Sequence, residues 1–407
     1  MARHDVLVIG AGISGLSFAH HAAQAGLRVL VLERSARPGG CLHSERTPSG
    51  YWFELGAHTC YNSYGAFLEL LEQVDLFGRL QARGKPVLRF LDGDEVAPGK
   101  NLGALLRRMS LWQLLRSIWR VFGRAPAGQT VRSYYSRLVG PDNYARALGP
   151  MLSAVPSQQA DDFPADMLFK KRPRRTDVRR SFTLEGGLAT VTDRIAAEPG
   201  ISVVLGQGAT HVTREGEAFV VTRDDGQREE ARWLALATPP QSAARLLASL
   251  LPPLAERVRA IGEAVVDSVG VVVRKERIRL PYASFLIPRG DVFHSVVTRD
   301  VVADPAFRAF SFHFQPDLER PARLGRVAAV LGLPITEVEH LGERRTVLPS
   351  PTLGHRERIH EIDALLANEP LAAGLALLGN WFGGLAIEDC VLRARAEWQR
   401  LGRAHST

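Results

Sequence analysis

The sequence predicts an α/β fold in which a three-layer, mostly parallel sheet is interleaved along the chain with an α+β unit. That unit carries a second, largely antiparallel sheet and a helical subregion. The prediction rests on a β-turn-α-β opening, on alternating strand patterns from about residue 261, and on a strand, glycine turn and helix near the end. A chain of 407 residues exceeds one ordinary core, so two or three packed units are expected. No linker or repeat divides it. We therefore expect residues 1–80, 181–255 and 348–407 to build the first domain and residues 81–180 and 256–347 the second.

Composition narrows the class before any motif is read. Hydrophobic residues make up 45% and charged residues 23%, and no run of about 18 apolar residues offers a membrane span. Cys41, Cys60 and Cys390 are too scattered for a disulfide framework, and no C-x-x-C pair points to zinc or another metal. A reducing, cytoplasmic setting is expected. Lys+Arg 51 against Asp+Glu 43 gives a net +8, which favours anionic ligands. The basic stretches lack the interleaved aromatics of a nucleic-acid module, so no nucleic acid is expected.

Asp5 to Ile9 is a short apolar strand. It runs into Gly10-Ala-Gly12-Ile13-Ser14-Gly15, an alanine-rich helix and a second strand, RVLVLE, ending at Glu33. The spacing fits a Rossmann-like dinucleotide fingerprint: Gly10 makes the turn, Gly12 admits a pyrophosphate, and Gly15 lets helix pack on strand. Ile13 and Ser14 open the helix whose N-terminus would face the phosphates. Glu33, with Arg34 beside it, would accept from a ribose and repel a 2′-phosphate, which disfavours NADP.

The residues after this strand separate FAD from NAD. ERSARPGGCLHS runs from Glu33 through Arg37 to Gly39-Gly40 and resembles the E-x-x-x-R-x-G-G run of the flavin amine oxidase, protoporphyrinogen oxidase and phytoene desaturase superfamily. Many relatives carry an arginine after the glycine pair. Here Cys41 stands there, and Arg46 is the candidate to neutralise the pyrophosphate. FELGAHT resembles the superfamily's E-L-G-[AG] segment, which implies Glu54, Gly56 and Ala57, with His58 after them, beside the flavin. The GAH triplet also resembles UDP-galactopyranose mutases, so His58 either tunes the flavin, touches substrate, or is a hydrogen-bonded packing histidine.

After it, Asn62 or Ser63 can cap a helix whose apolar face is Phe67, Leu70, Leu71 and Val74. KPVLRFLDGDEVAP reads as a hairpin. Ser110-Leu-Trp-Gln113 reads as a capping box opening a basic, tryptophan-containing helix. Residues 110–124 are accordingly either scaffold or a peripheral contact with the inner face of a membrane. The basic run KKRPRRTDVRR from Lys170 to Arg180 either holds substrate carboxylates or is a solvated loop.

SFTLEGGLATV resembles the superfamily's turn back into the FAD domain. Resemblance then implies an adenine contact at Val212 and a closing strand that ends near Thr238. Pro349, Gly354 and His355 match a Pro, then Gly-His, then helix segment of protoporphyrinogen oxidases. In GNWFGGLAIEDC, Gly379, Asn380, Gly384, Leu385, Ala386 and Ile387 are expected to bind the cofactor, Gly383 to Ile387 at the reactive ring, where a helix N-terminus favours negative charge on a reduced flavin. Trp381 is expected on the flavin's substrate side. Lys275, inside a strand, is the candidate for the lysine that many amine oxidases keep near the flavin. Glu388 and Asp389 read as capping acids.

The resemblance, nearest in motif to protoporphyrinogen oxidase-like proteins, implies an FAD-dependent oxidase or dehydrogenase acting on a small-molecule substrate, with oxygen or a quinone as electron acceptor. An amine oxidase or desaturase of secondary metabolism, a non-redox nucleotide-sugar mutase and a non-catalytic flavin-binding protein are the alternatives.

Overall fold

The computed structural model describes residues 4–117 and 128–403. Its seven-stranded first sheet holds five parallel strands in the order Ile201–Leu205, Val29–Glu33, His4–Ile9, Arg228–Leu236 and Leu375–Leu377. Ala218–Arg223 and Ala209–Glu215 extend it as an antiparallel meander. Its strands are near-continuous apolar runs because both faces are covered. The helices Ile13–Gln24 and Ile387–Arg403 pack on one side. On the other, Pro240–Leu247, Pro252–Arg259 and His355–Asn368 bury Leu246, Leu254, Val258 and Ile362.

The second sheet is also seven-stranded. It runs His340–Pro349, Glu263–Arg274, Phe307–Phe314, Phe293–Thr298, Phe285–Pro288, Leu88–Asp92 and Glu95–Val96. Every pair is antiparallel except Phe285–Pro288 with Leu88–Asp92. The Asp-Gly hairpin forms as read, with Asp92 opposite Glu95. The strand His340–Pro349 at this sheet's edge carries Arg344 towards the first sheet.

Two local expectations change. Gln113 does not close a capping box: its amide donates to Asp142 at 2.6 Å, while the Ser110 N–H goes to Asn143 Oδ1 at 2.6 Å. The helix there, Leu111–Ser117, is thus held from the neighbouring segment, and residues 118–124 of the expected basic helix lie outside the described residues. Among the described residues no helix is long and apolar enough to cross a membrane.

Candidate functional site

A cleft of about 730 Å³ opens at the carboxyl ends of the parallel strands, where open α/β sheets bind ligands. Gly10, Gly12, Ile13 and Ser14 line it from the first turn, with Glu33 and Arg34 at the next strand end. The turn and helix are in close contact: a Cβ on Gly15 would sit 2.0 Å from Gly10 O. Glu33 is held by the N–H groups of Ala11 and Ser35, both at 2.8 Å, which fixes the carboxylate at the cleft rim. Gly39 donates its N–H to Ala11 O at 2.8 Å, joining the second glycine pair to the first turn. Gly56 and Ala57 back this wall, the Ala57 N–H donating to Cys41 O at 2.9 Å.

Gly379, Asn380, Leu385 and Ile387 line the far end of the same cleft, with Gly384 and Ala386 in the same turn. The first turn of the helix Ile387–Arg403 leaves N–H groups without intrahelical partners there, a ready anion site. Two buried atoms in the cleft wall have no partner among the described residues: Thr238 Oγ1 and Arg344 Nη1. A dinucleotide with a charged pyrophosphate satisfies both needs, and the residues present fit FAD.

Arg344 reaches the cleft wall beside the second glycine pair. Its Nη2 donates to Gly40 O at 2.5 Å, which aims the guanidinium along the glycine pair. Burial lowers its pKa from the usual 12.5, a starting value high enough to keep the charge. Arg46, the residue expected to neutralise the pyrophosphate, donates to Gly186 O at 3.1 Å on an exposed brace and does not line the cleft. The signal for Arg344 was slight: an arginine pair within an otherwise ordinary strand.

Three further expectations are corrected. Val212 is fully buried in the core, and Gly208, Ala209 and Thr210 of the same stretch line the cleft. Lys275 lies past the end of its strand, exposed, with Nζ 3.5 Å from Asp304 O and far from the cleft lining. Trp381 is 1% exposed and lines neither cavity; its Nε1–H donates to Thr238 O at 3.1 Å beneath the cleft floor.

His58 borders a second, small cavity of about 20 Å³ with Glu54, Arg83, Thr183 and Arg299. Its Nδ1–H donates to Gly56 O at 3.3 Å, leaving Nε2 as an acceptor, and its ring meets Phe285 edge-on at 5.6 Å. Burial holds the imidazole neutral, its pKa lowered to about 3. The Glu54 carboxyl is pushed up to about 7 by burial, although it accepts from Leu188 N–H and the Ser44 hydroxyl, each at 2.8 Å. Arg299 stacks on Tyr51 and Trp52 at 4.4 Å each; its Nε and Nη1 are buried without a partner among the described residues.

Glu388 caps, but not its own helix. Its carboxylate accepts the N–H groups of Ala66 at 3.0 Å and Phe67 at 2.9 Å, at the start of the helix Gly65–Gln73. The expected local cap is absent: Asn62 donates instead to Arg175 O and Val178 O at 2.8 and 3.2 Å. Replacing Glu388 with Ala strands two buried donors, and urea unfolding should register a loss of about 2–4 kcal/mol, with Gln recovering part of it. The basic run is also anchored rather than solvated at its start, since Lys170 and Arg172 both bond Asp389.

The sequence model for flavin containing amine oxidoreductases matches residues 13–274. An L-amino acid dehydrogenase of Synechocystis sp. is 25% identical over 62% of this chain and 60% of its own length. A 15-cis-phytoene desaturase of Synechococcus elongatus is 28% identical over 33% of this chain and 30% of its own. The chain thus spans less than two thirds of either curated relative. A crystal structure of a candidate protoporphyrinogen oxidase from Exiguobacterium sp. 255-15 superposes with a TM-score of 0.81 at 18% identity, covering 99% of this chain and 100% of that one. A putrescine oxidase bound to putrescine gives 0.65 at 17% identity, covering 98% and 99%. The solved structures share the fold, and the chain belongs to the flavin-containing amine oxidoreductase family.

Proposed function

We propose that the protein removes a hydride from a C–H or N–H bond of an organic substrate in the manner of a protoporphyrinogen oxidase and passes the electrons to oxygen or a quinone. The observation that carries this reading is the single cleft lined by Gly10–Ser14 and Glu33 at one end and by Leu385 and Ile387 at the other. Bound FAD supplies the hydride acceptor. Glu33 would bind the ribose, Arg344 and the first helix N-terminus would hold the pyrophosphate, and the N–H groups at Leu385–Ile387 would favour negative charge on the reduced ring. A neutral His58 with a pKa lowered to about 3 is a poor proton acceptor, so it orients by accepting a hydrogen bond.

A second reading, oxidation of an amino acid, is favoured by the likeness to an L-amino acid dehydrogenase over 62% of this chain. Anaerobic bleaching of the flavin decides between them. Fast bleaching by protoporphyrinogen and none by amino acids or amines supports the first reading; the reverse pattern overturns it.

We also infer peripheral contact with an anionic membrane. Leu102, Leu111, Trp112 and Leu115 are all more than 60% exposed, and Arg116 lies over the Trp112 ring at 3.8 Å. The W112S/L115S double variant should reduce co-pelleting with phosphatidylglycerol vesicles about fivefold or more. Unchanged pelleting rules the contact out.

A further inference from the structure

We propose that Lys170 and Arg172, reaching across from the basic run, neutralise Asp389 so that the helix Ile387–Arg403 keeps a positive end toward bound flavin, and thereby raise the flavin's tendency to be reduced. The inference rests on the FAD orientation proposed above. Two acids, Glu388 and Asp389, occupy this helix's first turn, where they would cancel the positive end of the dipole. Neither lines the cleft. Each is instead consumed by its own donors: Glu388 by the Ala66 and Phe67 N–H groups, Asp389 by Lys170 at 3.0 Å and Arg172 at 2.8 Å.

The arrangement is built rather than incidental. The Asp389 side chain is only 9% exposed, and Lys170 Nζ also donates to Gly383 O, so one ammonium ties the acid to the turn. A Cβ at Gly384 would stand 2.7 Å from Asp389 Oδ2 and 3.2 Å from Lys170 Nζ, which leaves no side chain but glycine's beside the pair. Among the described residues, the lysine bonded to this turn is Lys170, from the basic run, and not Lys275.

Uptake of a hydride, one proton with two electrons, adds one negative charge to the ring. A unit charge removed or unmasked across about 10 Å, at the effective dielectric of a protein, changes such an equilibrium about tenfold. The test is the midpoint potential of the FAD-loaded enzyme, measured anaerobically against reference dyes. K170M should weaken the preference for reduced over oxidised flavin about tenfold, a fall of about 30 mV for a two-electron couple. D389N should shift it the opposite way, and K170R should restore the wild-type value. A purely structural clasp would not give opposite signs. Shifts of the same sign, or values within about twofold of wild type in both variants while FAD stays bound, overturn the inference alone. Wild-type protein that holds no FAD overturns the orientation as well.

Discussion

Trp381→Ala is expected to destabilise the protein by about 3–5 kcal/mol and to release FAD, not to alter substrate oxidation selectively. The indole is fully enclosed, stacks on Phe382 with centroids 3.9 Å apart, and Arg393 covers the other ring at 3.7 Å. Its Nε1–H holds Thr238 O, and its own carbonyl accepts from His355 Nε2 at 2.8 Å. Trp381 therefore joins three stretches that meet under the cleft: the strand end at Thr238, the Gly354-His355 helix start, and the turn that presents Leu385–Ile387. Truncation removes the packing and leaves the Thr238 carbonyl unbonded, so the cleft floor loosens at both of its lining segments. Trp381→Phe keeps most of the area and should lose less than half as much. Urea unfolding read beside FAD retention on gel filtration checks this; an alanine variant that keeps its stability and its flavin but changes turnover would return Trp381 to the substrate face.

That reversal marks where sequence reasoning stops. Positions fixed by local backbone geometry were legible. Gly10 to Gly15, Gly39-Gly40 and Glu33 carry their spacing within one β-turn-α-β unit, and the two sheets follow from runs of apolar or alternating residues. The Gly354-His355 pair was visible as a motif but not as a strut for Trp381, because the partner lies 26 residues away in a different turn. Arg344 was invisible for the same kind of reason: it crosses 304 residues of sequence to reach Gly40. Glu388 and Lys170 look like members of a capping turn and a charge run, and only the packing of separated elements turns one into the cap of a second helix and the other into a clasp. Val212 lies past an irregularity in the strand pairing between Ala209 and His211, which separates the cleft-lining residues 208–210 from a side chain in the core.

Arg344→Met should raise the dissociation constant for oxidised FAD about a hundredfold, while leaving the apo fold as stable as before or slightly more so. The two halves of that expectation have one cause. Among the described residues the Arg344 guanidinium has one hydrogen bond, to Gly40 O, and a buried Nη1 without a partner, so its desolvation is poorly compensated in the free chain. Its neighbour Arg37 compounds this: burial, then the Arg344 charge, brings the Arg37 pKa down to about 10. The two half-buried cations repel each other, and a pyrophosphate in the cleft would offset the charge that Arg344 brings to its wall. Methionine keeps the volume and removes the charge, so affinity falls without a cavity forming. Lysine restores charge but not the planar fork, and should recover about tenfold of the loss. Arg46→Gln, at the position the sequence favoured, should leave affinity within about twofold, because that side chain braces Gly186 outside the cleft. FAD titration followed by flavin fluorescence, with urea unfolding of each apo variant, tests both halves; an affinity loss at Arg46 with none at Arg344 would reverse the assignment of the pyrophosphate cation.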